Sequence, residues 1–425
     1  LPTITTPLPA ATSAVESPPS QEASLIKLSQ GKFEVTFVEP QAAIKEIEFK
    51  DYQSYKFPLK HGFLLGEKNL AFKKESVSNN RATFVYRDND KQIIKDFTFH
   101  NSNYSIELEV GVQNLSNSPL KISLPLVLGV LDFGRDQAQA RFQDVAVGLK
   151  DKTLHLNGRK EMSFEEAGFL GLRDRYFCAI IEPVVPPHYG ATIKKINAQE
   201  SEISLIPIES TLEPGQQIEQ KFHIYLGPQE LKLITSLNPD WSAVMYHGVF
   251  NFISHLLLQS LEVLYRLVHN WGWAIVILSI IIYLLFYPLT LKQMRSMRQM
   301  QVLQPAIEEL KKAYKDNPQK LNKEIMELYR KHKVNPLGGC LPMILQIPVF
   351  FALYQALMRS IALKGANFLW IKDLSEPDRL FTLPVNLPIL GNEVNILPIL
   401  MSIGMFIQQK TSLTTTTAGS REQQK

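Results

Sequence analysis

No grouping of titratable side chains in this sequence is spaced for covalent chemistry. Asp174, Glu182 and His188 fall close together along the chain, but their spacing matches no acid/base pair. They are expected as surface and loop residues. The two cysteines, Cys178 and Cys340, lie in a soluble stretch and at the mouth of an apolar run. They are expected as separate, inert thiols, with neither a disulfide nor metal-ligand spacing. No catalysis, metal or cofactor is therefore expected. The net charge of +4 is too weak to argue for nucleic acid, and DNA is not an expected partner. The placement of the charge says more. Residues 292–333 hold 11 Lys/Arg against 5 Asp/Glu, among them Lys292, Arg295, Arg298, Lys311, Lys312, Arg330, Lys331 and Lys333. Such an excess beside an apolar run marks the cytoplasmic side of a membrane.

The elements that carry these residues change character near residue 240. Residues 1–25 form a Pro/Thr/Ser/Ala tract whose only charges are Glu16 and Glu22. That composition cannot bury a core and reads as a flexible linker. Residues 26–240 alternate with period two. KFEVTFVE at 32–39 puts Phe33, Val35 and Phe37 on one face, and 43–49, 82–87, 92–99, 105–114, 121–130 and 221–227 behave alike. Short alternating strands separated by turn residues predict one large antiparallel β-sandwich.

From residue 241 the period is helical. Residues 246–270 put Val249, Phe250, Ile253, Leu256, Leu257, Leu264, Leu267 and Val268 on one face, beside His255, Glu262, Arg266 and His269. This predicts an amphipathic helix lying in the membrane interface. Residues 271–291 carry no charge over 21 positions, enough to cross a hydrocarbon layer of about 30 Å. Trp271 and Trp273 flank the outer end and Tyr287 the inner end, with Lys292 following directly. The β-domain therefore belongs outside the membrane, in the periplasm if the cell has two membranes. Residues 292–333 predict a cytoplasmic hairpin of two helices, the second starting at Pro318 behind an Asn317 cap. A second span is expected at 338–358, loosened by Pro342 and Pro348, and a third, short one at 394–410. Trp370 is expected as an interfacial anchor in the loop between them. The fold class is thus multi-domain: an all-β periplasmic sandwich, then an α-helical transmembrane domain with a cytoplasmic helical hairpin.

The segments NWGWAI (270–275), YPLTLKQ (287–293), KVNPLGGCLP (333–342), QIPVFFALYQALM (346–358) and FLWIKDLSEPD (368–378) resemble the YidC/Oxa family of membrane protein insertases. The β-domain, with YLGPQE at 225–230, looks like the periplasmic domain of Gram-negative members. The resemblance covers roughly residues 26–425. It implies an inner-membrane, multi-pass protein that helps nascent hydrophobic segments enter the bilayer through a polar, water-filled groove. It implies nascent membrane proteins and the lipid bilayer as partners, with the Sec translocon and the ribosome beside them. The basic 292–333 segment is then the expected contact for ribosomal RNA or nascent chain. By position, Ser279 matches a groove-facing small polar residue, and Ile347, Pro348 and Phe350 match the substrate's exit path, with Gln346 beside them.

The sequence departs from the family pattern in two places. Many members carry a groove arginine five residues before the proline of the YPL-like motif, and that position is Tyr283. The family also has an anchor before the β-domain and two helices after the third apolar stretch. Neither is seen in this sequence, which is expected to be a segment of a longer protein. A membrane-anchored periplasmic module that binds carbohydrate or protein is the alternative function. A channel or transporter is disfavoured, because the spans hold no Asp, Glu, Lys or Arg for an ion path. Tyr283 can exchange hydrogen bonds but offers no fixed charge to an acidic tail. Neutralising Asp/Glu in substrate tails should therefore reduce insertion less than in arginine-bearing relatives. Insertion assays with paired acidic and neutral tails check this, and an equal loss would refute it.

Overall fold

A computed structural model describes residues 24–66, 70–100, 103–134, 140–184, 189–245, 250–315, 317–332, 334, 341–387 and 391–422. The chain divides into two compact units, residues 1–246 and 247–425. The predicted 1–25 linker falls almost wholly outside the described residues, as do His188, Lys333 and Cys340.

The first unit is built from antiparallel sheets. One is a meander of Leu25–Ser29, Phe33–Val38, Ala43–Phe49 and Tyr55–Gly62. The largest has nine strands, in spatial order Thr153–Leu156, Asp144–Gly148, Phe169–Arg173, Phe177–Pro183, Gln217–Pro228, Ser105–Asn114, Lys91–His100, Arg81–Arg87 and Lys73–Val77. A third joins Leu126–Asp132, Glu200–Pro207, Tyr189–Lys195 and Met162–Phe164. The period-two pattern is what makes this packing possible, since alternate residues face one layer. Phe33, Val35 and Phe37 are buried together as their spacing predicts. Phe37 packs edge-on against Phe97 at 5.2 Å, which brings the meander onto the nine-stranded sheet. Phe49 stacks on Phe177 at 4.2 Å at another point of the same interface. The predicted strand at 121–130 is in fact two, Leu120–Ile122 and Leu126–Asp132. Pro125 lies in the break between them and has no N–H to donate to a ladder.

Lys95 is the exception inside this core. It follows Ile93 and precedes Phe97 on the inward register of its strand, so the backbone carries a cation indoors. Its Nζ donates to the carbonyls of Ala42 and Phe63, both at 2.5 Å. Both residues have left-handed backbones, with φ of 45° and 59°: Ala42 in the turn between the second and third strands of the meander, Phe63 just after its fourth. Burial pulls the lysine down to about 7. Cys178 is also buried, and burial pushes its thiol well above the ordinary range, leaving it unreactive.

The chain leaves this unit through α1 (Leu231–Leu237) and a 3₁₀ turn at Pro239–Val244. The buried Arg173 holds that exit. Its guanidinium pairs with Asp144, and its Nη1 donates to the Val244 carbonyl at 2.8 Å.

The second unit is helical: α2 (Asn251–Val268), α3 (Trp271–Val302), α4 (Gln304–Ala313), α5 (Pro318–Lys331), α6 (Leu341–Arg359) and α7 (Ile396–Glu422). α2 turns into α3 through two residues. His269 takes a left-handed backbone, φ 52°, and Asn270 caps α3 by accepting from the Trp273 N–H at 3.1 Å. Asn317 caps α5 by accepting from Lys320 N at 3.1 Å, as Asn-Pro predicts. Three features differ from the sequence expectation. α3 runs on through Pro288 to Val302, so residues 292–302 continue the same helix rather than opening the hairpin. The third apolar stretch is the start of a longer helix, α7. The loop after α6 also holds a two-stranded ribbon, Arg379–Leu387 with Gly391–Asn395.

Lys95 sets a pH dependence. Between about pH 7 and the ordinary lysine value, the unfolded chain binds a proton here that the folded chain has lost, so stability rises with pH. From pH 7 to 9 the stability of the native protein relative to Lys95→Met should grow by about 2 kcal/mol. Urea unfolding of both proteins at the two pH values checks this, and parallel responses would refute it.

Candidate functional site

The core of the helical unit is made by three helices. Leu257 and Leu261 of α2, Ala274 and Leu278 of α3 and Ala352 of α6 form its buried centre. Ala352 and Ala356 are both fully covered, and their small side chains let α2 come close. Ser254, buried on α2, uses that closeness: its Oγ donates to the Ala352 carbonyl at 3.0 Å. This joins the surface-type helix to the second apolar helix four residues past Pro348. The proline has no N–H, so the α6 ladder is interrupted on the N-terminal side of the clamp.

Which face of α2 packs differs from the sequence expectation. Leu257 and Leu261 go inward, while Leu256 and Leu267 are exposed together with Val263 and Phe252, the last at 82%. The helix therefore has an apolar outer stripe as well as an apolar inner one. Period alone could not assign the faces, because α2 meets two helices rather than one flat surface. Glu262 and Arg266 sit between the stripes as an i,i+4 pair at 3.9 Å.

One end of the unit is closed by a contact between two motifs nearly a hundred residues apart. A Cβ on Gly272 would lie 2.1 Å from the Phe368 ring, so only glycine fits there. Phe368 also packs edge-on against Trp273 at 5.4 Å, and Tyr265 stacks on Trp271 at 4.0 Å. The tryptophans of NWGWAI are thus packed as well as placed at a helix end. Past this point Asp378 caps α7 from a distance, accepting from the N–H groups of Ile396 and Leu397 at 2.9 and 2.7 Å. Trp370 directs its indole N–H to the same carboxylate at 3.5 Å. Sequence reading missed Ser254, Gly272 and Asp378 in these roles. Gly and Asp inside quoted motifs were a signal, but their partners are remote in sequence.

The sequence-predicted site residues fall on the two apolar helices. Ser279 is exposed on α3, with its Oγ donating to the Ile275 carbonyl at 2.8 Å. Tyr283 is 59% exposed one turn further on, its ring 6.1 Å from that of Tyr287. On α6, Gln346, Ile347 and Phe350 are exposed, Phe350 at 63%, and Pro348 is half-buried. These residues share the part of the two helices beyond the Ala274–Leu278–Ala352 contact. Among the described residues no hydrogen bond, ion pair or ring contact joins the α3 group to the α6 group. Lys292, Arg295 and Arg298 are exposed on the last turns of α3, Lys311 and Lys312 on α4, and Arg330 and Lys331 on α5. None of them forms an ion pair among the described residues. Of the helices, α3 is long and apolar enough to cross a membrane; the apolar stretches Ile344–Arg359 and Ile396–Gln409 are shorter. Among the described residues no group of three or more His, Cys, Asp or Glu could hold a metal.

Comparison with known proteins agrees with this two-part organisation. Residues 66–260 match the model of the YidC periplasmic domain, and residues 263–425 match that of the 60Kd inner membrane protein. The membrane protein insertase YidC of Pelobacter propionicus is 32% identical over 95% of this chain and 80% of its own length. The chain belongs to the YidC family of membrane protein insertases. The YidC of Syntrophobacter fumaroxidans is 35% identical over 75% of this chain, an alignment spanning 59% of that relative's length. A crystal structure titled as an active YidC insertase with its first transmembrane domain resolved aligns at 19% identity. It covers 85% of this chain and 78% of its own, with a TM-score of 0.32. In YidC terms, the all-β region is the periplasmic domain and the helical region follows it.

The Gly272–Phe368 fit makes a direct prediction. Gly272→Val should force the ring away and destabilise the helical unit by roughly 1–3 kcal/mol, as overpacking does. Gly272→Val combined with Phe368→Ala should recover part of that loss. Thermal unfolding of the three proteins in detergent measures it, and additive losses would count against the contact.

Proposed function

We propose that this chain acts as a membrane protein insertase, lowering the cost of moving a nascent segment into the bilayer. The observation that carries this is the split character of α3 and α6. One end of the pair is packed around Ala274, Leu278 and Ala352; the other leaves Ser279, Tyr283 and Gln346 uncovered beside the apolar Ile347 and Phe350. A polar group alone in hydrocarbon costs several kcal/mol. Hydroxyl and amide groups at membrane depth hold water along the path and reduce that cost for a short polar tail. Ile347 and Phe350 then offer the substrate's apolar segment a surface continuous with lipid. The chemistry is non-covalent, and the preference of the apolar segment for lipid supplies the driving force.

Topology follows from charge. The basic end of α3, with Lys292, Arg295 and Arg298, belongs on the cytoplasmic side, and α4 and α5 extend that surface with Lys311, Lys312, Arg330 and Lys331. In this reading α3, α6 and α7 all cross the inner membrane, α2 lies in its outer interface, and the β-domain is periplasmic. A ribosome would meet the basic surface, and the Sec translocon would pass substrates laterally. The outer apolar stripe of α2 supports its interfacial placement, because Phe252, Leu256, Val263 and Leu267 would otherwise face water.

Photo-crosslinkers placed at Tyr283 and Phe350 should both form adducts with a ribosome-stalled nascent membrane protein, while one at the buried Leu261 should not. Absence of adducts at both exposed positions would overturn the assignment of this surface.

A further inference from the structure

The two-stranded ribbon between α6 and α7 has no part in the insertase proposal, and its composition sets it apart from the rest of its loop. Between Arg379 and Glu393 thirteen residues carry no charge, and nine of them are Leu, Ile, Val, Phe or Pro. Two strands have no second layer to bury side chains against, so a lone ribbon leaves its apolar residues to its surroundings. Leu380 and Phe381, at the start of the strand Arg379–Leu387, are both exposed, Phe381 at 51%. Phe381 lies opposite Val394 on the other strand. The charges are gathered at the base instead. Arg379 lies 3.4 Å from Glu376 and 2.9 Å from Glu393, so its guanidinium is already held by two carboxylates.

That base is tied to the helices. Asp378 directly precedes the first strand and accepts from the first N–H groups of α7, while the second strand, Gly391–Asn395, runs straight into α7 at Ile396. The same carboxylate receives the Trp370 indole, and Phe368, two residues earlier, packs on Gly272 and Trp273 of α3. The ribbon base therefore stands at the Trp271 end of α3, the helix long and apolar enough to cross a membrane. Trp273 and Trp370 are part-exposed at this level, and Leu369 between Phe368 and Trp370 is 70% exposed. Tryptophans so placed mark a membrane–water boundary.

Backbone chemistry sets the depth. The outer edges of a two-stranded ribbon carry unpaired N–H and C=O groups, which hydrocarbon cannot satisfy. Pro384, within the first strand, removes one such donor. A headgroup boundary meets both demands, because water reaches the edges while apolar side chains enter the acyl layer. We propose that the ribbon is a membrane-seated wedge, with Leu380 and Phe381 in the lipid of the outer leaflet and the Arg379 pairs at headgroup level. Seated there, it holds the start of α7 at a fixed depth through Asp378. The proposal rests on the reading that α3 crosses the membrane with Trp271 outward.

Spin labels test it in the full chain, reconstituted into nanodiscs of phosphatidylethanolamine and phosphatidylglycerol after Cys178→Ala and Cys340→Ser. Single labels at Phe381→Cys, Val394→Cys, Glu376→Cys and Leu285→Cys report collisions with oxygen, which concentrates in lipid, and with a water-soluble nickel chelate. The oxygen-to-nickel ratio at Phe381 should exceed that at Glu376 severalfold and approach that at Leu285, an exposed residue of α3. In Leu380→Asn/Phe381→Asn the ratio at Val394 should fall severalfold, with an unchanged melting temperature showing that the variant is folded. Collisions chiefly with nickel at Phe381 would overturn the proposal. So would a Phe381 label that neither probe reaches, because protein, a second copy included, then covers the ribbon. An unchanged ratio at Val394 in the folded double variant would also defeat it. Lipid at Leu285 with water at Phe381 defeats the ribbon proposal alone; water at Leu285 defeats the placement of α3 and the ribbon proposal with it.

Discussion

A polar group removed from water must find a partner, and that constraint shapes both units of the chain. In the sandwich it fixes Lys95 between two carbonyls and Arg173 between Asp144 and the Val244 carbonyl. In the helical unit it is met locally. Ser260, Ser279, Thr290 and Ser402 each donate to the carbonyl four residues back. Ser254 instead crosses to another helix, which is why α2 and α6 are joined at that level. The same rule works on the insertase proposal from the other side. A surface can lower the cost of a buried polar tail only if its own polar groups stay accessible, as Tyr283 and Gln346 do.

Much of this was legible in the sequence, because hydrophobic period is a strong signal. Alternation at 33–37 and 105–114 gave the inward faces of the sandwich, and the uncharged run after Trp271 gave the long helix. The family motifs marked the stretches that meet in space. Two of them, NWGWAI and FLWIKDLSEPD, turn out to touch through Gly272 and Phe368. What stayed hidden were choices made by partners remote in sequence. The inward register of Lys95 is visible beside Ile93 and Phe97, but the Ala42 and Phe63 carbonyls that make it tolerable are not. The packed face of α2 was half misassigned for the same reason: both of its stripes are apolar, and only contact with α3 and α6 separates them.

The candidate site was legible in another sense. Ser279, Tyr283, Gln346, Ile347, Pro348 and Phe350 were placed by resemblance, and they occupy the uncovered part of α3 and α6. Spacing alone would not have singled them out, since an exposed residue on an apolar helix has no periodic signature.

The fit of Phe368 against Gly272 also has a meaning in time. A ribosome adds about 5–20 residues per second, so the segment between the two takes several seconds to make. α2 is complete at the start of that interval and α3 is finished part-way through it, so both wait with the notch at Gly272 unfilled and that end of the unit unsealed. The helical unit cannot close until Phe368 arrives, whatever the stability of the finished structure. A chain read as a helper of other membrane proteins thus passes through its own half-assembled state, and the length of that wait is written into the distance between two motifs.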